Sequence, residues 1–472
     1  MQRYLKLTGV LALTAGIAGC GDGFLTGPGL TENPNQPIEA SMDQLFVAMQ
    51  ARQFVAQEGQ LARLAAIWTQ QLTGIFNQQL EWGTKYLVTE NDLSGHYNHF
   101  YVGGGLLDQR KIQELAVAAG NTKLEAIAKV WEAFTIGTAT SMFGDIAYSE
   151  AVNPDIRTPK LDPQQQVYAA IQALLDEAIG QLASAPAGAI ASDLVYNGNA
   201  GRWQRAAYTL KARYHLHTAP KLGAAAYQAA LAAAQQGINE APANVNEAVH
   251  GQAAGDFRSF HGNTLDDANI WSQFLTARAD IAAGKRLIDV LVARGNDPRL
   301  AGYFDVASDG QYRGSNQWGA GPSPWSLVDV PTRTARTFRQ PYITWTENQL
   351  IMAEAKFQLG DAAGALGHVN AVRAALGMPA LAGPITLEQI MVEKWIAQFQ
   401  NIDVYSDWRR TCYPRLVPGG PTVNVSAASI PGRVPYGSSE RLQNPNVPAP
   451  SAQPAKNWTF DQITCPSTGG TI

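Results

Sequence analysis

Between residues 343 and 377 the chain carries a pattern that few structures satisfy. Leu350, Ala353 and Phe357 form one apolar stripe at helical spacing, and Gly360 stops it. Asp361 then caps a second stripe of Ala365, Leu366, Val369, Val372 and Leu376, which Gly377 ends. Two helices split by so short a break must fold back on each other as a helical hairpin. The same period recurs upstream. Leu124, Ile127, Trp131, Phe134 and Thr138 share a face, and Val167, Ile171, Leu174, Leu175, Ala178 and Leu182 line another, with Asp162 as N-cap and Pro163 at the first helical position. Trp203, Ala207, Leu210 and Tyr214 mark a further helix, as do Tyr227 to Ile238 and Leu387 to about Gln400. The expected fold is all-α dominated.

The run Ala353-Glu354-Ala355, Gly360-Asp361, Ala365-Leu366 looks like a tetratricopeptide unit, yet no strict period repeats elsewhere, so the predicted scaffold is an irregular set of tetratricopeptide-like helical hairpins. Two stretches break the pattern. Residues 240–342 are rich in Gly, Asn, Asp and aromatics, periodic only at 278–293, and read as a loop-rich insertion forming a ligand-binding face. Residues 413–472 hold ten of the 26 prolines, a density that argues against any helix and for an extended C-terminal tail. Residues 343–412 form the late hairpin region between them.

The N-terminus adds export. Arg3 and Lys6 precede an apolar run from Leu7 to Ala18, too short for the roughly 20 residues that span a bilayer. Cys20 directly follows Ile17-Ala18-Gly19, which resembles the lipobox of bacterial lipoproteins. The reading is a signal peptide over 1–19, a lipid-anchored tether over 20–37 and a single domain over 38–472. Removing 1–19 takes away two cations and no acid, so the net charge of −4 becomes more acidic and gives no footprint for nucleic acid. If Cys20 carries lipid, Cys412 and Cys465 remain as a disulfide pair in an oxidising compartment; the alternative is two free thiols.

No catalytic constellation stands out: His-Glu-x-x-His, Gly-x-Ser-x-Gly and phosphate-binding glycine loops are missing. His96 and His99 share a helical face but lack a third ligand, His215 and His217 face apart, and Asp266-Asp267 reads as a solvated loop. No metal or cofactor is expected. The aromatics say more. Trp68, Trp131, Trp203, Trp345, Trp395 and Trp408 fall in helical patterns and read as core, whereas Trp82, Trp271, Trp318, Trp325 and Trp458 sit in polar, irregular contexts. Sugars present apolar faces to flat rings and hydroxyls to amides. Trp82, Tyr86, Trp271, Asn316, Trp318 and Trp325 are therefore the candidate ligand residues. The alternative for each ring is a loop aromatic folded onto the body.

These pieces, in their order, resemble the SusD/RagB family of outer-membrane nutrient-binding lipoproteins. Met142-Phe143-Gly144-Asp145-Ile146-Ala147-Tyr148-Ser149-Glu150-Ala151 is similar to the family's Phe-Gly-Asp-x-Pro-Tyr-x-Glu-Ala element, with Ala147 in place of proline. Asp193 to Asn199, with Trp203 and Leu210 to Tyr214, is similar to the next signature, and Asn296-Asp297-Pro298-Arg299-Leu300 to another. Glu393-Lys394-Trp395 followed by Asp403 to Arg409 resembles a late element, with Lys394 replacing arginine. The resemblance implies four tetratricopeptide-like pairs, no catalysis, and a cell-surface lipoprotein of the outer membrane. Its partner would be a SusC-like TonB-dependent transporter, its ligand an oligosaccharide or sometimes a peptide. A surface glycoside hydrolase is the alternative from another class.

Cys20→Ala is expected to move the protein from the membrane to the soluble fraction; retention in the membrane fraction would rule out lipid as the anchor.

Overall fold

A computed structural model describes residues 40–316, 324–418 and 429–465. Cys20, the tether and Trp318 lie outside the described residues. The chain divides into two compact units between Leu45 and Phe46. Of the first, residues 40–45 are described: Ser41 N donates to Gln44 Oε1 (3.0 Å) and Gln44 N to Ser41 Oγ (3.2 Å), a reciprocal cap for the first helix.

In order the chain forms α1 (Met42–Glu58), α2 (Gln60–Trp68), β1 (Leu72–Gly74), α3 (Glu90–Asn98), α4 (Leu106–Ala118), α5 (Thr122–Phe143), α6 (Gln164–Ala183), α7 (Ala200–Leu222) and α8 (Ala224–Ala234). The insertion follows, with α9 (Val245–His250), β2 (Phe257–Arg258), α10 (Ile270–Ala277), β3 (Ile281–Ala283), α11 (Lys285–Ala293), α12 (Arg299–Tyr303), α13 (Pro331–Thr334) and β4 (Pro341–Ile343). The chain then makes α14 (Trp345–Gln358), α15 (Ala362–Ala375), α16 (Leu387–Ala397), α17 (Asp403–Thr411) and α18 (Ser438–Gln443). No helix among the described residues is long and apolar enough to cross a membrane.

Helices α4 to α8 pack each on the next, and α8 packs on α14, which packs on α15 and α16. The stack of hairpins is thus continuous in space although the insertion interrupts it in sequence. Its seam is apolar: Ala212 and Leu216 of α7, Ala230, Ala233 and Ala234 of α8, and Ile351 and Met352 of α14 form one buried cluster. At the late hairpin Asp361 caps α15 through Gly364 N (2.8 Å), and Gly360 and Gly377 take left-handed φ of 88° and 66°.

Helix α5 is buried on nearly every side, not on the one face its pattern suggests. Small residues allow this. Tyr214 of α7 lies across Gly137, where a Cβ would stand 2.0 Å from the phenolic oxygen. That hydroxyl donates to Ala133 O at 3.0 Å.

The Phe-Gly-Asp element turns out to be a helix starter. Gly144 at φ 88° reverses the chain after α5, and Asp145 Oδ1 accepts from Gln164 N at 2.8 Å, capping α6. Asp162 is therefore not the cap expected from sequence. It accepts instead from Tyr148 N (3.0 Å) and Ser149 N (2.7 Å), because an isolated β-bridge between Ile146 and Asp162 holds it across the loop. A second correction concerns the tail. The proline-free stretch between Pro435 and Pro445 forms the six-residue α18, while the described remainder is extended or in short 3₁₀ turns. Cys412 and Cys465 are joined by a disulfide, with Cα atoms 5.2 Å apart.

Three ion clusters are sealed between the late helices. Arg213 of α7 grips Glu347 of α14 bidentately (2.7 and 2.6 Å), and Asp403 of α17 accepts from His217 Nε2 (2.9 Å). Arg410 of α17 pairs with Glu354 of α14 and with Asp407, which also meets Lys394 of α16 (2.8 Å). Arg299 of α12 joins Asp297 (2.6 Å) to Glu393 of α16 (2.6 Å), and Arg294 completes the set at 2.7 Å from Glu393. Burial by itself would raise Glu393, but Arg299 and Arg294 outweigh it and hold the carboxyl at about 2.

Gly137→Ala should destabilise the fold by about 1–3 kcal/mol in urea denaturation, because the clash with Tyr214 overrides the roughly 1 kcal/mol gained in helix propensity; equal or greater stability would contradict the contact. Glu393 is depressed below its unfolded value near 4.3, so its contribution is present above that pH and is lost as pH falls towards about 2. A loss on the order of 3 kcal/mol is expected over that window. Glu393→Gln should flatten the slope of stability against pH there; an unchanged slope would count against the pairing.

Candidate functional site

A small β-cluster gathers the loop segments that the insertion brings back to α2. β1 pairs antiparallel with β3, Leu72 opposite Ala283 and Gly74 opposite Ile281. Ser315 N donates to Ala283 O (2.8 Å), Thr73 Oγ1 to Ser315 O (3.0 Å), and Ala283 N to Ser326 O (2.9 Å). Segments 72–86, 280–285, 313–316 and 325–327 are thereby held together. Gly74 is required because Gln79 O crosses where its Cβ would be, at 1.9 Å. That crossing opens a π-helical turn over Gln79–Thr84, closed by Lys85 N donating to Leu80 O (2.8 Å).

The turn carries Trp82, half-buried, whose carbonyl accepts from Trp68 Nε1 at 3.1 Å. Tyr86 follows in a left-handed conformation (φ 60°) and is turned inward, 8% exposed. Asn316 and Trp325, both half-buried, respectively follow Ser315 and precede Ser326, the two residues bonded to Ala283, and the Trp325 indole N–H is buried without a partner. The joined segments carry four of the six sequence candidates, Trp82, Tyr86, Asn316 and Trp325, of which Tyr86 is buried rather than open to a ligand. Trp318, also proposed from sequence, lies outside the described residues.

Trp271 is a correction. It is 1% exposed, a core residue rather than a ligand platform. Asn269 is the cause. Its side-chain oxygen caps α10 through Trp271 N (2.8 Å), while its amide donates to Glu58 Oε2 (2.9 Å) in the buried Glu58–His261–Tyr342 network, which draws the helix start into the core. The spacing of Trp271, Phe274 and Leu275 at i, i+3 and i+4 is an amphipathic stripe that signals this burial.

One residue that composition-based reasoning missed is the most open ring of the cluster. Phe76, 55% exposed, stands at the end of β1, and Leu87 (41%) follows Tyr86. Phe76 is placed by β3: Asp280 O accepts from Ile75 N (2.8 Å), and Asp280 Oδ1 from Asn77 Nδ2 (2.7 Å). The only sequence signal is an aromatic beside the strand-forming Leu72-Thr73-Gly74-Ile75.

The remaining polar candidates resolve into structural roles. His96 and His99 meet edge to face at 5.8 Å, and His99 bonds Arg52 at 2.6 Å. His217 is tied to Tyr168 (3.0 Å) and Asp403, while His215 stands apart from that pair. Asp267 accepts from Thr264 in a local turn. Among the described residues no three His, Cys, Asp or Glu are grouped as a metal site. A separate cleft of about 210 Å³ opens beside the disulfide between Trp408, Leu416, Ile430 and Phe460; none of the loop aromatics lines it.

Comparison with known proteins agrees with this architecture. Residues 34–376 match the SusD-like family described as starch-binding and associating with the outer membrane, and residues 382–453 match the family described as SusD and RagB outer membrane lipoprotein. No curated protein sequence matches the chain. Among solved structures, a chitin-binding protein superposes with a TM-score of 0.74 at 23% identity, covering 89% of this chain and 100% of that one. A SusD/RagB family protein from Bacteroides thetaiotaomicron gives 0.69 at 20% identity over 89% and 98%. A chitin-binding SusD homolog from Flavobacterium johnsoniae gives 0.70 at 18% identity over 90% and 98%. With most of its length matched, a stack of helical hairpins and a loop-built aromatic cluster, this chain belongs to the SusD/RagB family of outer-membrane proteins.

Proposed function

We propose that this chain is a surface lipoprotein of the outer membrane, anchored through Cys20, that binds oligosaccharide and delivers it to a SusC-like TonB-dependent transporter. The observation that supports the ligand half is an exposed Phe76 and half-buried Trp82, Trp325 and Asn316 carried on segments that one β-cluster joins. Flat rings pack on sugar C–H faces, and an amide beside them serves the hydroxyls. Two relatives of the same fold are chitin-binding, which supports a glycan over a peptide. The anchor supports the delivery half, since tethering raises the local concentration of receptor at a membrane partner.

A glycan array probed with the purified protein tests the class of ligand. Binding to oligosaccharides with no release of reducing sugar is the expected result; binding to peptides alone, or sustained hydrolysis, would contradict the reading. Phe76→Ala and Trp82→Ala should each raise the Kd for the glycan found by about tenfold, near 1.4 kcal/mol, while leaving the thermal midpoint little changed. Trp271→Ala should instead cost about 3–5 kcal/mol of folding stability. Unchanged affinity in both loop variants would remove this cluster as the site.

A further inference from the structure

Arg63 differs from three of the other deeply buried arginines. Arg213, Arg299 and Arg410 are each locked to carboxylates. Arg63, on α2 and 6% exposed, has no acid: its Nε and Nη2 both lean on Gln60 Oε1 at 3.2 Å, and Nη1 is buried without a partner. Its guanidinium lies 4.2 Å from the centroid of Phe274, and that of Arg278 lies 5.1 Å from the same ring. Burial, then Arg278, lower Arg63 to about 9, so it is still charged at neutral pH. An uncompensated buried cation is costly to a fold.

The charge sits behind the aromatic cluster. Gln60, which holds Arg63, exchanges amide hydrogen bonds with Gln79 at the start of the Trp82 turn (3.3 and 2.9 Å). Arg278 faces solvent with 43% of its side chain exposed and pairs with Asp280 at 2.8 Å. Asp280 is the residue whose carbonyl and carboxylate hold Ile75 and Asn77, on either side of Phe76. The exposed cation and the backbone of the exposed ring are therefore both held by Asp280. On the far side of Arg63, burial, then His99, Arg63 and Arg52, lower His96 to about 4, which leaves it neutral at pH 7. Arg278 thus has a carboxylate partner, Asp280, while Arg63 behind it leans on an amide oxygen, in a chain whose net charge is −4. A cation backed by low-dielectric protein projects its field outward.

We propose that this is an anion subsite: Phe76 packs on a sugar ring while Arg278, reinforced by the unpaired charge of Arg63 behind it, takes a carboxylate or sulfate carried by that sugar, so that the ligand is an acidic oligosaccharide. This rests on reading the aromatic cluster as the glycan site. Arg63 is then a positioning charge kept at the expense of stability.

Calorimetry and thermal unfolding of the full chain in detergent micelles, at fixed ionic strength, test it with three probes: hexagalacturonate, a κ-carrageenan hexasaccharide and neutral chitohexaose. The first two separate carboxylate from sulfate. At least one acidic probe should bind about tenfold or more tightly than chitohexaose, a gap of about 1.4 kcal/mol. Arg63→Met should raise the ligand-free melting midpoint and remove that preference, and Arg278→Gln should also remove it. Equal affinity of wild type for acidic and neutral probes overturns the subsite and leaves the glycan reading standing. Retention of the preference in Arg63→Met, or a lowered midpoint, also overturns it. A folded chain that binds none of the three overturns both.

Discussion

The late half of the molecule depends on charges buried where water cannot reach them. Glu393 and Lys394 are adjacent on α16 and so point in different directions, one into the Asp297–Arg299–Arg294 cluster, the other towards Asp407 and Glu354. α16 thereby fastens the loop-rich insertion on one side and the α14–α17 pair on the other. A buried ion pair adds little net stability over a packed apolar equivalent, yet removing one partner leaves a bare charge at a cost of about 3–5 kcal/mol. Such pairs admit one register and reject others. The signatures Ala353-Glu354-Ala355, Asp297-Pro298-Arg299, Glu393-Lys394 and, through Asp403 and Asp407, Asp403 to Arg409 all contribute members of these pairs, which gives them a structural reason.

That rigidity explains the division of labour. The stack from α4 to α15 is closed by apolar seams and buried ions, whereas the aromatic cluster hangs on two three-residue strands and a π-helical turn. Loops fixed at their roots by a stiff scaffold can change their exposed side chains without disturbing the core. Arg333 does similar rooting for the insertion. It bonds His250 (3.1 Å) and Gln400 (3.0 Å) and lies against Tyr303, Phe338 and Phe399, with centroids 4.9–5.3 Å away.

Helical periodicity made most of the scaffold legible, because spacing and glycine stops report burial directly. The late hairpin with Asp361 and Gly377 is the clearest case. Long-range polar pairing was not legible. Asp145 rather than Asp162 caps α6, and no local pattern distinguishes two aspartates when a β-bridge decides between them. The candidate site was half legible. Tryptophans in polar context led to Trp82 and Trp325, but context misplaced Trp271, which is capped by Asn269, whose own partner Glu58 lies some two hundred residues away. Phe76 was missed because its exposure is set by β3, a strand too short to announce itself.

On the proposed function, ligand contact is confined to the β1–β3 cluster while the helical stack stays fixed. Hydrogen exchange of the full chain, with and without the oligosaccharide it binds, tests this most directly. New protection is expected in residues 72–87, 278–285, 313–316 and 325–327, with exchange in α5, α7, α14 and α16 unaltered. Protection appearing in those helices, or beside the Cys412–Cys465 disulfide, with none in the cluster, would contradict it.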